Sequence, residues 1–366
     1  MNKFLSATWL LLFLGIISCS KPSSFKEKMD ESVQTSLEWR TDSTGIWETA
    51  GWWNSANVLT ATIRYAAVTG DQRIPPIIDD VFEKAKHYRI APDSLGNERF
   101  ADNFINDYYD DEGWWALAWI EAYKLTGEKK YLEMSKVIFA DMTTGWSDKC
   151  GGGIYWKKNP FHYKNAIAND LFSLTAIRLY QATNEQQYAD WFKKNVEWFM
   201  QSGMINTNLY QIEDGTDNNC QPNRNAHYTY NQGVAIAVLA EMYQLSGDSS
   251  YLDLANQIAK ATITKTLVTK EGILREMRPE IPRGNDGVQF KGIFIRHLAF
   301  LYSITKEPLY KEFILKNAHS ILANIFDTST KSFGCFWQGP LEKIGPAANA
   351  SALECIIEAY QLETEE

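Results

Sequence analysis

Asp110 and Asp111 are adjacent carboxylates with Asp107, Tyr108, Tyr109, Trp114 and Trp115 around them. Cleaving a glycosidic bond takes one protonated acid for the leaving oxygen and one ionised carboxylate as nucleophile or base. With Cα atoms about 3.8 Å apart, the two side chains can diverge to the carboxyl separation of about 5 to 5.5 Å used in retaining hydrolysis. Two charges at that distance repel by about 3 kcal/mol at an effective dielectric near 20, roughly two pKa units. One of the pair can then hold a proton near neutrality if burial adds to the repulsion. The plainer alternative is that one aspartate caps a helix beginning near Glu112 while the other is solvated. A cap needs neither the third acid at Asp107 nor the flanking rings, which suit a sugar-binding cleft.

The elements that must position this pair recur along the chain. A helix ending in Tyr, then a short turn and usually a second Tyr, stands at Tyr65 with Thr69-Gly70, Tyr123 with Thr126-Gly127, Tyr180 with Thr183-Asn184, Tyr243 with Ser246-Gly247, and Tyr302 with Thr305-Lys306; a sixth copy ends at Tyr360. The first helix of each pair is apolar nearly all round and so buried on both sides. The second is amphipathic, as in Tyr251, Leu254, Ala255, Ile258, Ala259 and Thr262. Inner helices are predicted near 54–67, 112–125, 166–182, 231–245, 291–304 and 347–361. Five outer partners follow directly, and residues 25–40 supply the sixth, so the chain closes into an (α/α)6 toroid rather than an open solenoid. The loops entering the inner helices collect at one end of such a ring, and there the polar and aromatic residues are densest.

Composition bounds the function. The sequence of 366 residues holds 13 Trp, 18 Tyr and 18 Phe, a surplus suited to stacking on sugar rings. A net charge of −9 with no basic cluster excludes nucleic acid as partner. The five His show no metal spacing, so no metal and no cofactor is expected. Lys3 followed by the apolar run Leu5 to Ile17 reads as an export signal over residues 1–18, too short to span a bilayer. Its end, Ile16-Ile17-Ser18-Cys19, resembles the lipobox of bacterial lipoproteins, which implies lipidation at Cys19, a tether over 19–24, and a single domain over 25–366. The expected location is a bacterial cell envelope, facing either the periplasm or the exterior, with membrane contact through the lipid alone. Cys150, Cys220, Cys335 and Cys355 allow three full pairings, among which the sequence does not choose.

The segment Tyr109-Asp110-Asp111-Glu112-Gly113-Trp114-Trp115 resembles glycoside hydrolase family 76, the endo-α-1,6-mannanases. So do Cys150-Gly151-Gly152-Gly153-Ile154 with Trp156, Tyr163-Lys164-Asn165 through Leu171, Thr229-Tyr230-Asn231-Gln232-Gly233, and Phe290-Lys291-Gly292-Ile293-Phe294 with Arg296. The resemblance covers nearly the whole mature chain. It implies the toroid, an α-mannan substrate, Asp110 as nucleophile and Asp111 as general acid/base of a retaining double displacement. It also suggests Asn165, Tyr230, Asn231 and Gln232 as sugar contacts, against helix capping as the alternative for Asn165 and Asn231. Trp53, Asn54, Asp107, Tyr109, Trp114, Asp286, Lys291 and Trp337 complete the candidate binding set; Asp286 and Lys291 could instead pair with each other, and the two tryptophans Trp53 and Trp337 could simply be packed. Trp114 and Trp115 point about 100° apart on a helix, so at most one faces the cleft. Competing readings are a mannan transglycosidase, an unsaturated glucuronyl hydrolase on the same fold, and an inactive glycan-binding lipoprotein.

Overall fold

A computed structural model describes residues 24–90, 98–158, 163–224, 227–277 and 286–364. The export signal, Cys19 and most of the tether lie outside them. Six inner helices, α2 (Trp52–Thr69), α4 (Tyr109–Thr126), α6 (Ala166–Thr183), α8 (Thr229–Ser246), α10 (Asp286–Thr305) and α12 (Pro346–Thr364), alternate along the chain with α1 (Ser24–Glu38), α3 (Ile74–Ala85), α5 (Lys129–Thr143), α7 (Gln186–Gln201), α9 (Ser249–Ala261) and α11 (Pro308–Asn324). Each inner helix packs on the next, and α12 returns to α2. The architecture is the (α/α)6 toroid, and α1, the first described helix, covers α12. Ser32 Oγ donates to Asn349 Oδ1 at 3.0 Å, and Asn349 Nδ2 donates back to Ser32 O at 3.2 Å, joining the two ends of the ring. Among the described residues no helix is long and apolar enough to cross a membrane.

The recurring turn has one geometry. Gly127, Asn184, Gly247 and Lys306 each adopt a left-handed φ between 53° and 76°, and each N–H donates to the carbonyl of the preceding Tyr at 2.7 to 2.8 Å. Gly70 makes the same turn through Ala66. These are left-handed C-terminal caps, which glycine and asparagine adopt at little cost. In four repeats a Thr or Ser hydroxyl then accepts from the first N–H beyond the turn, at Glu128, Glu185, Asp248 and Glu307, aiming the outer helix back along the inner one. Gly233 and Gly292 permit close helix contact, since a Cβ there would lie 2.7 Å from Phe294 Cα and 2.4 Å from Ser351 O.

The axis of the ring is closed by charge. Arg64, Glu121, Arg178, Glu241, Arg296 and Glu354, one from each inner helix in order, alternate in sign. Arg64 Nε and Arg296 Nη1 each lie 3.0 Å from Glu354, and Arg178 Nη1 lies 2.5 Å from Glu241. Buried charges persist only when paired in this way. Much of the aromatic surplus is core rather than cleft: Trp52, Phe104, Trp115 and Trp119 stack on one another beneath α3. Among the described residues the only sheets are short two-stranded pairs in the loops, including β1 (Lys164–Asn165) against β2 (Gly215–Thr216).

Of the three cysteine pairings, the structure forms the Cys150–Cys220 bond and leaves Cys335 and Cys355 as buried thiols. The bond ties the turn before α6 to the hairpin before α8. Gly151, Gly152 and Gly153 all have positive φ, and a Cβ on Gly153 would come within 2.4 Å of the Trp198 ring. The triple glycine therefore serves a tight turn packed on Trp198. The buried Lys164 ammonium, held by the carbonyls of Ser147, Lys149 and Gly152, fixes the same turn from inside. Burial lowers its pKa to about 8. Replacing Cys150 and Cys220 by serine opens a crosslink of sequence separation 70 and is expected to cost about 3 to 4 kcal/mol. Urea unfolding of the double variant against the oxidised parent checks this; equal midpoints would contradict it.

Candidate active site

Asp110 and Asp111 lie in the first turn of α4, which begins at Tyr109, three residues earlier than its apolar pattern suggests. Neither caps the helix. Tyr108 occupies the N-cap with extended backbone and makes no side-chain cap. The N–H of Tyr108 is instead taken by Asn106 Oδ1 at 2.8 Å. The start of α4 is held from outside by an antiparallel pairing: Tyr109 N–H donates to Trp156 O at 3.0 Å and Lys158 N–H to Asp107 O at 2.8 Å. Behind it, the buried Glu112 carboxylate meets Lys158 Nζ at 2.7 Å, and Asp141 meets the same ammonium at 2.5 Å.

The pair opens into a cleft of about 630 Å³. Its lining comprises Trp53, Tyr108, Asp110, Asp111, Trp114, Trp156, Tyr163, Asn165, Asp214, Tyr228, Tyr230, Asp286 and Phe290. The two carboxylates have different partners. Trp156 Nε1 donates to Asp110 Oδ2 at 2.9 Å, and Asn106 Nδ2 donates to Asp111 Oδ2 at 2.7 Å. Burial pushes the Asp110 pKa up to about 7, against the opposing pull of Trp156 and the backbone N–H groups of Asp110 and Asp111. Asp111 is pushed well above the carboxylate range, first by burial and then by the charge of Asp110, with Asn106 opposing. The pair therefore holds a proton near neutrality, and desolvation, rather than mutual repulsion alone, is the larger cause.

Rings from four inner helices form one wall. Tyr230 lies flat on Phe290 at 3.9 Å between centroids, Phe290 stacks on Trp53 at 6.1 Å, and Trp53 on Trp114 at 5.9 Å. Arg296 lies beneath Trp114, 5.9 Å from its centroid, so the axial charge ring supports the cleft floor. Trp115 faces the core, leaving Trp114 as the one of the two at the cleft. Opposite, Asp214 accepts from Tyr163 Oη at 2.7 Å and from Asn231 Nδ2 at 3.3 Å. Among the described lining residues there are four carboxylates and no Lys, Arg or His.

The structure brings Trp53, Trp114, Asn165, Tyr230 and Asp286 to the cleft with the acidic pair. Asn165 also caps α6, accepting from Ala168 N–H at 3.2 Å. Other sequence candidates stand elsewhere. Gln232 clamps the backbone of Ile212, accepting its N–H at 2.8 Å and donating to its O at 3.0 Å, which ties the hairpin to α8. Asn231 is buried and reaches the cleft only through Asp214. Tyr109 turns inward, its hydroxyl on Thr144 and its ring against Gly145. Asp107 pairs with Arg99 at 2.5 Å. Asn54 is buried inside α2. Lys291 is buried, donates to Cys335 O at 2.8 Å and lies over Trp337, itself 1% exposed, so neither side chain stands at the cleft, and Asp286 accepts from Trp53 Nε1 at 3.0 Å.

Asn106, Trp156, Tyr163, Asp214, Tyr228 and Phe290 are functional candidates that the sequence did not single out as site residues. Trp156, Tyr163 and Phe290 stood inside the motifs quoted above. Asn106 carries a local signal, an Asn two residues before a helix N-cap, and Asp214 carries none, because its approach depends on the pairing of β1 with β2.

The family model for glycosyl hydrolase family 76 matches residues 24–365. A mannan endo-1,6-alpha-mannosidase of Candida albicans is 29% identical over 277 residues, covering 70% of this chain and 59% of that protein, so the chain spans about three fifths of that relative's length. The GH76A alpha-1,6-mannanase from Salegentibacter sp. HEL1_6 superposes with a TM-score of 0.79 at 25% identity, over 92% of this chain and 99% of that one. An inactive variant of that enzyme, with two consecutive aspartates replaced by asparagine and in complex with alpha-1,6-mannotriose, superposes equally well, with a TM-score of 0.79 at 24% identity over 92% and 99% of the two chains.

Proposed function

The chain belongs to glycosyl hydrolase family 76 and is a glycoside hydrolase, and we propose that it cleaves internal α-1,6-mannosidic bonds of a mannan backbone with retention of configuration. The observation that carries this reading is the unequal pair. Asp110 is held by an indole N–H and backbone N–H groups, which favour its anion, while Asp111 accepts from Asn106 alone and is pushed toward its protonated form by burial and then by the charge of Asp110. In the first step the Asp110 carboxylate attacks the anomeric carbon, the bond to the leaving oxygen breaks, and that oxygen takes the proton of Asp111. In the second step water attacks the anomeric carbon, gives its proton to Asp111, and the ester to Asp110 is released as carboxylate. The wall of rings offers faces for the sugars, and Asp214 and Asp286 offer acceptors for hydroxyls. The described lining, with four carboxylates and no cation among its residues, opposes binding of uronates.

The test is incubation of the folded domain with debranched α-1,6-mannan, following product size and anomeric configuration by NMR. Internal cleavage that first releases α-anomers is expected. First-formed β-anomers would exclude the double displacement, products longer than the substrate would make the enzyme a transglycosidase, and binding without release would make it a lectin.

We also propose lipid attachment at Cys19 and a cell-envelope location, supported by the charge, apolar run and cysteine at residues 3–19. Incorporation of labelled palmitate, lost in Cys19→Ala, is the expected result.

A further inference from the structure

Asn106 sits before α4 with its side chain committed at both ends. Its Oδ1 accepts the backbone N–H of Tyr108 at 2.8 Å, and its Nδ2 donates to Asp111 Oδ2 at 2.7 Å. The orientation of this amide is not interchangeable. A backbone N–H can only donate, so the atom facing Tyr108 is the oxygen and the atom facing Asp111 is the NH2. An NH2 in turn only donates. Asp111 Oδ2 presents a lone pair to Asn106, and because the carbonyl oxygen of a carboxylic acid is its better acceptor, this contact favours the proton of Asp111 on Oδ1.

We propose that Asn106 is a positioning residue for the acid–base cycle, selecting the oxygen of Asp111 that carries the transferable proton and fixing the carboxyl plane. This rests on the reading of Asp111 as acid/base given above. The amide acts at both half-reactions. It keeps the proton on the free oxygen while Asp111 is an acid, and it stabilises the carboxylate left after transfer, so that Asp111 can accept the proton of the attacking water. The charges of Asp110 on the same helix and Asp286 at the start of α10 act on Asp111, and the other titratable groups lining the cleft are Asp214 from the hairpin and the phenols of Tyr108, Tyr163, Tyr228 and Tyr230. All of these are acids, so among the described lining residues Asn106 has no cationic substitute for its donor role.

The informative variant is Asn106→Ser. A serine hydroxyl can still accept the Tyr108 N–H and keep the turn, but it is too short to hold Asp111. The measurement is kcat/KM for two α-1,6-mannotriosides. One carries a dinitrophenyl leaving group, whose departure needs no proton; the other carries a plain alkyl or sugar leaving group, which does. The expected result is a loss of about 10 to 100-fold on the poor leaving group, little loss on the activated one, and a basic pH limb moved upward by about one unit. Asn106→Asp, which also keeps the turn but sets a further charge against Asp111, is expected to move that limb further in the same direction. Equal losses on both substrates, or an unmoved pH limb in both folded variants, would overturn the proposal. Failure of the parent enzyme on both mannotriosides would instead sink the mannanase reading, so the two failures are distinguishable.

Discussion

Asp110→Asn is expected to lower turnover of α-1,6-mannan by about 10⁴-fold or more, with the fold unchanged by circular dichroism. The amide keeps the volume and can still accept from Trp156, so the loss reports the missing negative charge rather than a collapsed site. Asp111→Asn is expected to lose about 10² to 10⁴-fold on mannan but to form the covalent intermediate readily from an activated aryl mannoside, so that intermediate accumulates and mass spectrometry finds the enzyme one glycosyl unit heavier. The two variants must therefore fail differently. Near-normal turnover in either folded variant would remove that residue from the mechanism. Accumulation of the intermediate in Asp110→Asn rather than Asp111→Asn would reverse the roles.

The same substitution is expected to make the protein more stable. Asp110 has a folded pKa of about 7 against an ordinary value of 3.8. A folded value above the unfolded one means that the native state prefers the proton. Stability from this source is fully present below about pH 4 and is lost as pH rises through 7. Three units correspond to about 4 kcal/mol at the upper bound; the coupling to Asp111 shares that cost between two groups, so about 2 to 4 kcal/mol is expected for Asp110→Asn at pH 8. Thermal unfolding should show a rise of about 3 to 8 °C at pH 8 that fades toward pH 4. A variant less stable than its parent at pH 8, or a gain independent of pH, would contradict the burial argument. The enzyme thus carries its acidic pair at a cost in stability, which is the usual condition of a working site.

Much of this arrangement was legible in the residues. The apolar inner helices, their left-handed caps at Gly127, Asn184 and Gly247, and the closure by residues 25–40 follow from periodicity and turn chemistry, because they depend on neighbours close in sequence. The acidic pair was legible for the same reason, although its larger driving force, desolvation, follows only from packing. Helix starts were read too late at α4, α8 and α10, where Tyr109, Thr229 and Asp286 begin helices before the apolar pattern does. That error matters, since the cleft is built from these first turns. It also explains the residues assigned to the wrong environment. Lys291 follows Phe290 directly and Gln232 lies two residues after Tyr230, yet each step along a helix turns a side chain by about 100°, and no local signal says which of such neighbours faces the axis. Trp337 shows the converse, a large ring in a polar loop that tertiary contact buries under Lys291. Asp214 was out of reach because a two-residue ladder, β1 on β2, brings it to the cleft from about 100 residues away from the acidic pair.

The clasp between Ser32 and Asn349 has a consequence for how the molecule comes into being. The inner helices α10 and α12 jointly hold Arg296 under the cleft floor, and α12 is held in turn by α1, so the site is finished only when the last helix has docked against the first. Closing the ring joins residues 317 apart in sequence, and the loop-closure entropy of that contact is offset only by the docking of α1 on α12. Catalytic competence is therefore expected to appear with closure of the ring rather than hairpin by hairpin.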